Sequence, residues 1–163
     1  MSRRPPRPAL STPATVAAAR AGVEVTVHPY EATAGGSYGA AAAAALGVAP
    51  ARVLKTLVTE VDGAPAIAVV PVAGSLDLKA LAVALGGKHA TLAEPAGAER
   101  LTGYVVGGIS PLGQRRALRT VVDSSALGHP TVYVSAGRRG LQLQIAPGDL
   151  VRLTGATTAP ISR

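Results

Sequence analysis

Short runs in which apolar and polar residues alternate punctuate the chain, and stops of glycine, proline or Asp-Gly separate them. Val23 to Val27 reads VEVTV, the period-two pattern of a half-buried strand. His28-Pro29-Tyr30-Glu31 should end that strand, because proline has no amide to donate. Arg52 to Val61 (RVLKTLVTEV) reads as a longer strand, Asp62-Gly63 as a hairpin turn, and Ala66 to Val70 as the returning strand, broken at Pro71. His89 to Leu92, Thr120 to Val122, Thr131 to Ser135 and Leu141 to Ile145 are further strand candidates. The apolar run Tyr104 to Val106 carries strand propensity up to the pair Gly107-Gly108.

Helices are expected where capping residues precede apolar runs. Ser11 and Thr12 can cap a helix with Pro13 in its first turn, running to Gly22. A flexible lead over Gly35 to Gly39 precedes an alanine helix over 40–46, ended by Gly47. Asp77 caps Leu78 to Leu85, with Gly86-Gly87 as its stop. Pro95 to Leu101 and Pro147 to Leu153 both begin with proline, which suits a first helical position. Residues 1–10, Pro- and Arg-rich, read as a disordered basic tail, and residues 11–163 as one domain. Strands and helices interleave irregularly, with no internal repeat. The expected fold is α+β, a mixed, curved or barrel-like sheet surrounded by short helices.

Composition narrows the chemistry. A chain of 163 residues can bury about 70% of its unfolded surface, and here the core must be built from Ala, Val, Leu and Ile, since there are four tyrosines and no Phe or Trp. So few aromatics argue against single-strand recognition by base stacking. The absence of cysteine excludes disulfides, thiolate metal sites and a cysteine nucleophile. His28, His89 and His129 show no ligand spacing, so neither a metal nor a cofactor is expected. Ala40 to Ala45 is too short to span a bilayer and the N-terminus lacks a signal-type apolar region, so a soluble cytoplasmic protein is expected. The net charge is +7, and between positions 115 and 139 five arginines (115, 116, 119, 138 and 139) face only Asp123. This excess suits a polyanion such as RNA, and equally a solvated arginine face.

Three stretches hold candidate chemistry. Thr102 to Arg116 (TGYVVGGISPLGQRR) contains a glycine pair that can bring backbone amides close to a ligand, or simply turn the chain. GISPLG lacks the GxSxG spacing of a nucleophile elbow. Lys55 lies in the otherwise apolar VLKTL. Lysine is almost never buried unpaired, so it either snorkels outward or lines a cavity. Alternation puts Val53, Lys55 and Leu57 on one face and Leu54, Thr56 and Val58 on the other. Ser135 to Gly140 (SAGRRG) either gathers a hydroxyl, amides and guanidinium groups at one mouth or forms an exposed hairpin.

Together, VLKTL (53–57), PVAGSLDLKALAVALGGK (71–88), TGYVVGGISPLGQ (102–114) and VYVSAGRRGLQLQIAPGDL (132–150) resemble the YbaK/EbsC-type aminoacyl-tRNA deacylases, free-standing relatives of the prolyl-tRNA synthetase editing domain. The likeness is collinear over about residues 12–155 and leaves out the basic tail. It implies a hydrolase that clears mischarged tRNA, most often cysteinyl-tRNA for proline, with tRNA as substrate and prolyl-tRNA synthetase as a partner. It places the family's lysine on Lys55, its neighbouring threonine on Thr56, the tyrosine of HPYE on Tyr30, the glycine loop on Gly107 and Gly108, and the pocket serine on Ser135. Ser110, Arg138 and Arg139 join Tyr30, Thr56 and Ser135 as expected substrate contacts. Lys55, Gly107 and Gly108 are the expected catalytic set. Lysine side chains are cationic near neutral pH, so Lys55 suits holding phosphate or ester oxygens better than acting as a base.

Thr56 after the lysine resembles the cysteine-editing branch, in which the substrate's own thiol is thought to attack its carbonyl. An alanine-editing enzyme and a non-catalytic tRNA- or synthetase-binding module are the competing readings. Two departures stand out: Gln142 occupies a position that is aspartate in some cysteine-editing members, and the helix after Gly39 is nearly all alanine.

Overall fold

The computed structural model describes residues 11–31 and 38–163, so the expected basic tail and the first glycines of the lead into the alanine helix lie outside the described residues. Among the described residues, five α-helices and eight strands follow in the order α1 (Pro13–Arg20), β1 (Thr26–Pro29), α2 (Tyr38–Leu46), β2 (Leu54–Val61), β3 (Ala64–Pro71), α3 (Leu78–Ala84), β4 (Ala90–Leu92), α4 (Pro95–Thr102), β5 (Arg119–Asp123), β6 (Val132–Arg138), β7 (Leu141–Ile145), α5 (Pro147–Thr154) and β8 (Thr157–Ala159). The strands form a three-stranded sheet, β1-β7-β6, and a five-stranded sheet, β4-β2-β3-β5-β8. The small sheet is antiparallel. The large one is mixed, antiparallel through β4, β2 and β3 and parallel from β3 to β5 and β8. Among the described residues a single parallel bridge, Val53 to Tyr133, joins the two sheets at the start of β2. No helix among the described residues is long and apolar enough to cross a membrane.

Local chemistry explains most boundaries. Thr12 and Thr15 form a reciprocal capping box at α1, and the Thr12 hydroxyl also donates to the Ala136 carbonyl, tying α1 to β6. Asp77 caps α3 by accepting from Ala80 N–H at 3.1 Å. Asp62 takes a left-handed conformation (φ 50°) in the β2–β3 turn, and its carboxylate accepts from the amides of Lys88 and His89, which holds the entry to β4.

The first strand differs from the sequence expectation. It begins at Thr26 and continues through Pro29. Among the described residues β1 pairs only with β7, so its outer edge needs no amide from proline. The run Tyr104–Val106 is likewise not a strand. The glycine loop is entered from α4, whose left-handed C-cap is Gly103 (φ 79°). Tyr104 instead buries its ring in the core and donates its hydroxyl to the Leu112 carbonyl at 2.6 Å. The short strand β8 has no counterpart in the sequence reading.

The main core lies between the apolar face of the small sheet (Val132, Val134, Leu141, Leu143, Ile145) and Leu54, Val58, Ile67 and Val69 of the large one. Alternation in LQLQI sends Leu141, Leu143 and Ile145 into it and leaves Gln142 and Gln144 on the opposite face. A second core packs α3 and Ile161 on the far side of the large sheet, and α2 covers Val53 and Tyr133. Fully burying each of the larger aliphatic side chains contributes about 1.5–3 kcal/mol.

A cleft where two sheets part

On one edge of β2, residues 59–61 pair with β4, and the bridge at Val53 joins the strand to β6. Between these attachments, among the described residues, residues 55–57 have no strand partner on that edge. A cleft of about 310 Å³ occupies the gap. It wraps the open edge, so the consecutive residues Leu54 to Val58 all line it. Ser135 of β6 and Gln142 of β7 form the opposing wall, Val106, Gly107 and Ile109 a third, and Tyr38 and Gly39 at the start of α2 a fourth. Leu92, Ala93, Pro95 and Ala98 complete an apolar rim.

Four of the residues singled out from sequence therefore meet in one place: Lys55, Thr56, Gly107 and Ser135. Lys55 has no carboxylate within ion-pair distance among the described residues. The Thr56 hydroxyl is buried and has no hydrogen-bond partner, and the same holds for Oε1 of Gln142. Ser135 Oγ accepts from Gly137 N–H at 3.1 Å, which leaves its own proton free to point at a ligand. Among the described residues no Asp or Glu lines the cleft, so Lys55 makes it a cationic site with neutral acceptors.

The glycine loop is held by close packing. Gly107 has φ 89°, a region that disfavours side chains, and a Cβ there would lie 2.7 Å from the Tyr38 ring and 2.8 Å from Arg139 Nε. Gly108 lies against the backbone of Arg138 and Arg139. Its N–H donates to the Val105 carbonyl at 2.9 Å, and of the two glycines Gly107 is the one that lines the cleft. Arg139 packs against two lining residues, its guanidinium 5.0 Å from the Tyr38 ring centroid and its Nε donating to the Val106 carbonyl at 2.8 Å.

Four expected substrate contacts lie off the lining, Arg139 and three more. Tyr30 packs with Tyr133 and Val53 beneath α2, and its amide donates to the Gly140 carbonyl. Ser110 is fully buried and accepts from Leu112 N–H at 3.2 Å, which closes the turn after the glycine pair. Arg138 is exposed at the end of β6. Sequence reasoning gave no site role to Tyr38 or Gln142. Tyr38 is one of only four aromatic residues, and the polar positions of LQLQI mark the face on which Gln142 stands.

Comparison with known proteins gives a consistent result. The model of the aminoacyl-tRNA editing domain matches residues 35–153. A protein of Enterococcus faecalis provisionally named Cys-tRNA(Pro)/Cys-tRNA(Cys) deacylase EbsC is 38% identical over 121 residues, 74% of each chain. Among solved structures, a hypothetical protein, APE2540, superposes with a TM-score of 0.84 at 29% identity, over 93% of this chain and 100% of that one. A protein provisionally described as a trans-editing enzyme for prolyl-tRNA synthetase superposes with a TM-score of 0.80 at 25% identity, over 99% of both chains.

Proposed function

The chain belongs to the aminoacyl-tRNA editing-domain family, and on that premise we propose that it is a trans-editing deacylase that removes cysteine from Cys-tRNA(Pro). The observation that carries this reading is the cleft itself, which brings Lys55, Thr56, Gly107 and Ser135 around a space fit for a small aminoacyl group. The provisional names of the Enterococcus relative and of the trans-editing structure support the choice of substrate. Residues 11–163 act as one domain in the cytoplasm, on charged tRNA, with prolyl-tRNA synthetase as its partner.

Ester cleavage builds negative charge on the carbonyl oxygen, and the Gly107 amide is the donor to stabilise it. Gly108 serves by position, keeping Gly107 against the cleft. Lys55 holds the terminal phosphate or the ester oxygens by charge. The substrate thiol attacks the carbonyl carbon, the carbon–oxygen bond to the ribose breaks, and the thiol proton leaves with the ribose hydroxyl. Water then opens the cyclic thioester to free cysteine. The protein supplies positioning and electrostatics and needs no nucleophile of its own, in keeping with a chain that has no cysteine. Thr56 and Ser135 touch the aminoacyl group. Arg139 and Arg138 meet the acceptor end of the tRNA, while Tyr30 and Ser110 act from behind, shaping the wall.

Deacylation of Cys-tRNA(Pro) measured beside Ala-tRNA(Pro) tests the proposal. Rapid loss of cysteine with alanine left on its tRNA is expected. Comparable rates would replace thiol assistance by a water route, and binding of tRNA without turnover of either would make the chain a binding module.

A further inference from the structure

We propose that Gln142 is a specificity-determining residue whose amide oxygen receives the α-ammonium of the aminoacyl group, a role that rests on the deacylase reading above. Gln142 is only 6% exposed, lines the cleft, and its Oε1 has no hydrogen-bond partner. Buried polar atoms in folded proteins are nearly always paired, and one left open at a cavity wall is stabilised when a ligand completes it. The contrast with the next polar residue on the same strand face is direct. Gln144 bonds His28 Nε2 at 2.8 Å through Oε1 and donates to Thr131 Oγ1 at 2.8 Å through Nε2. Of the two, only the glutamine that faces the cleft is left incomplete.

The chemistry of the missing partner follows from the acceptor. An amide oxygen only accepts, so the ligand must present N–H or O–H groups. On an aminoacyl ester the strongest donor is the α-ammonium. Among the described residues no carboxylate lines the cleft to take that cation, and Lys55 repels it, so the neutral oxygens must hold it. Ser135 Oγ already accepts from Gly137 N–H and is better used as a donor to an ester oxygen. Register pairs Gln142 with Ser135, so the two side chains stand side by side on one face. That arrangement offers an acceptor for the ammonium next to a donor for the ester. The unpartnered Thr56 hydroxyl provides a second neutral oxygen in the same cleft.

Single-turnover deacylation of Cys-tRNA(Pro) and of 3-mercaptopropionyl-tRNA(Pro), which keeps the thiol and lacks the α-ammonium, separates this role from a structural one. Gln142→Leu should slow the cysteinyl substrate about 10- to 100-fold, the loss of a charge-assisted hydrogen bond, and leave the des-amino substrate within about twofold. Gln142→Glu, which keeps an acceptor, should restore the preference for the cysteinyl ester. Gln142→Met, of similar length and without an acceptor, repeats the test should leucine disturb the packing. An equal loss on both substrates, or no loss on either, overturns the assignment while leaving the deacylase standing. If the wild-type protein cleaves neither ester, the deacylase reading fails and this role fails with it.

Discussion

Replacing Gly108 by alanine probes the packing that holds the glycine loop against the cleft. A Cβ at this position would lie 2.8 Å from Arg139 N and 2.9 Å from both C and Cα of Arg138. Ordinary contact begins at about 3.4 Å, so the two segments must separate by about 0.6 Å. The obstructing atoms are main chain at the end of β6 and the start of the β6–β7 turn, which cannot swing aside as a side-chain tip can. Overpacking of this kind costs about 1–3 kcal/mol. The loop cannot relax freely either, because Gly108 N–H is bonded to the Val105 carbonyl and Arg139 grips the Val106 carbonyl. Any shift moves Gly107 and Ile109 from the cleft wall, and misplacement of a reacting group by about 1 Å costs about 100-fold in rate. Urea unfolding should show Gly108→Ala less stable by about 1–3 kcal/mol, and deacylation should fall by at least about tenfold. Gly148→Ala is the control. This glycine lies in α5, and a Cβ added there would meet nothing within 4 Å, so alanine should stabilise by about 0.5–1 kcal/mol with the rate unchanged. A Gly108→Ala protein with wild-type stability and wild-type rate would refute the packing argument.

Two further substitutions address stability and its pH dependence. Tyr104→Phe leaves the Leu112 carbonyl without its donor and should cost about 1–3 kcal/mol in urea unfolding. Burial pushes the Tyr104 hydroxyl up to about 12, so the unfolded chain ionises first. Its stabilisation is complete below about pH 10, the ordinary tyrosine value, and is lost as pH rises toward 12. That alkaline loss should be smaller in Tyr104→Phe. Burial acts to raise the Asp123 carboxyl, but hydrogen bonds from Ser125 and from Ile161 and Ser162 outweigh it and hold the group below the usual range. Its contribution is therefore present above about pH 4 and is lost as pH falls through the depressed value. Asp123→Asn should flatten the acid limb of a stability–pH profile and loosen the C-terminal segment, read by amide exchange at Ile161 and Ser162.

Local chemistry made much of the fold legible. Asp77 and Thr12 announce helix starts, Asp62-Gly63 announces the hairpin, and the alternation of LQLQI assigns faces to β7. Where the reading departed from the structure, the deciding contacts were distant in sequence. Tyr104 to Val106 has the composition of a strand, yet Tyr104 is held by a carbonyl eight residues on and packs against Gly137. The short strand β8 has no local signature. The Asp123 carboxylate captures the amides of Ile161 and Ser162 and brings the segment alongside β5. At the site, alternation separated Lys55 from Thr56, but it could not show that β2 loses its partner over residues 55–57 and exposes both to one cleft. The unpaired state of Gln142 Oε1 could only emerge from three dimensions, because Gln144, identical in type and face, is bonded through both its amide oxygen and its amide nitrogen.

The measurement that bears most directly on the account compares wild type with Lys55→Ala in single-turnover deacylation of Cys-tRNA(Pro), with tRNA binding measured alongside. Cationic stabilisation of the reacting ester by Lys55 calls for a rate loss of about 100-fold or more, while affinity for the tRNA body stays within a few-fold. Wild-type deacylation by Lys55→Ala would contradict it, because ester cleavage would then proceed without the cation that lines the cleft.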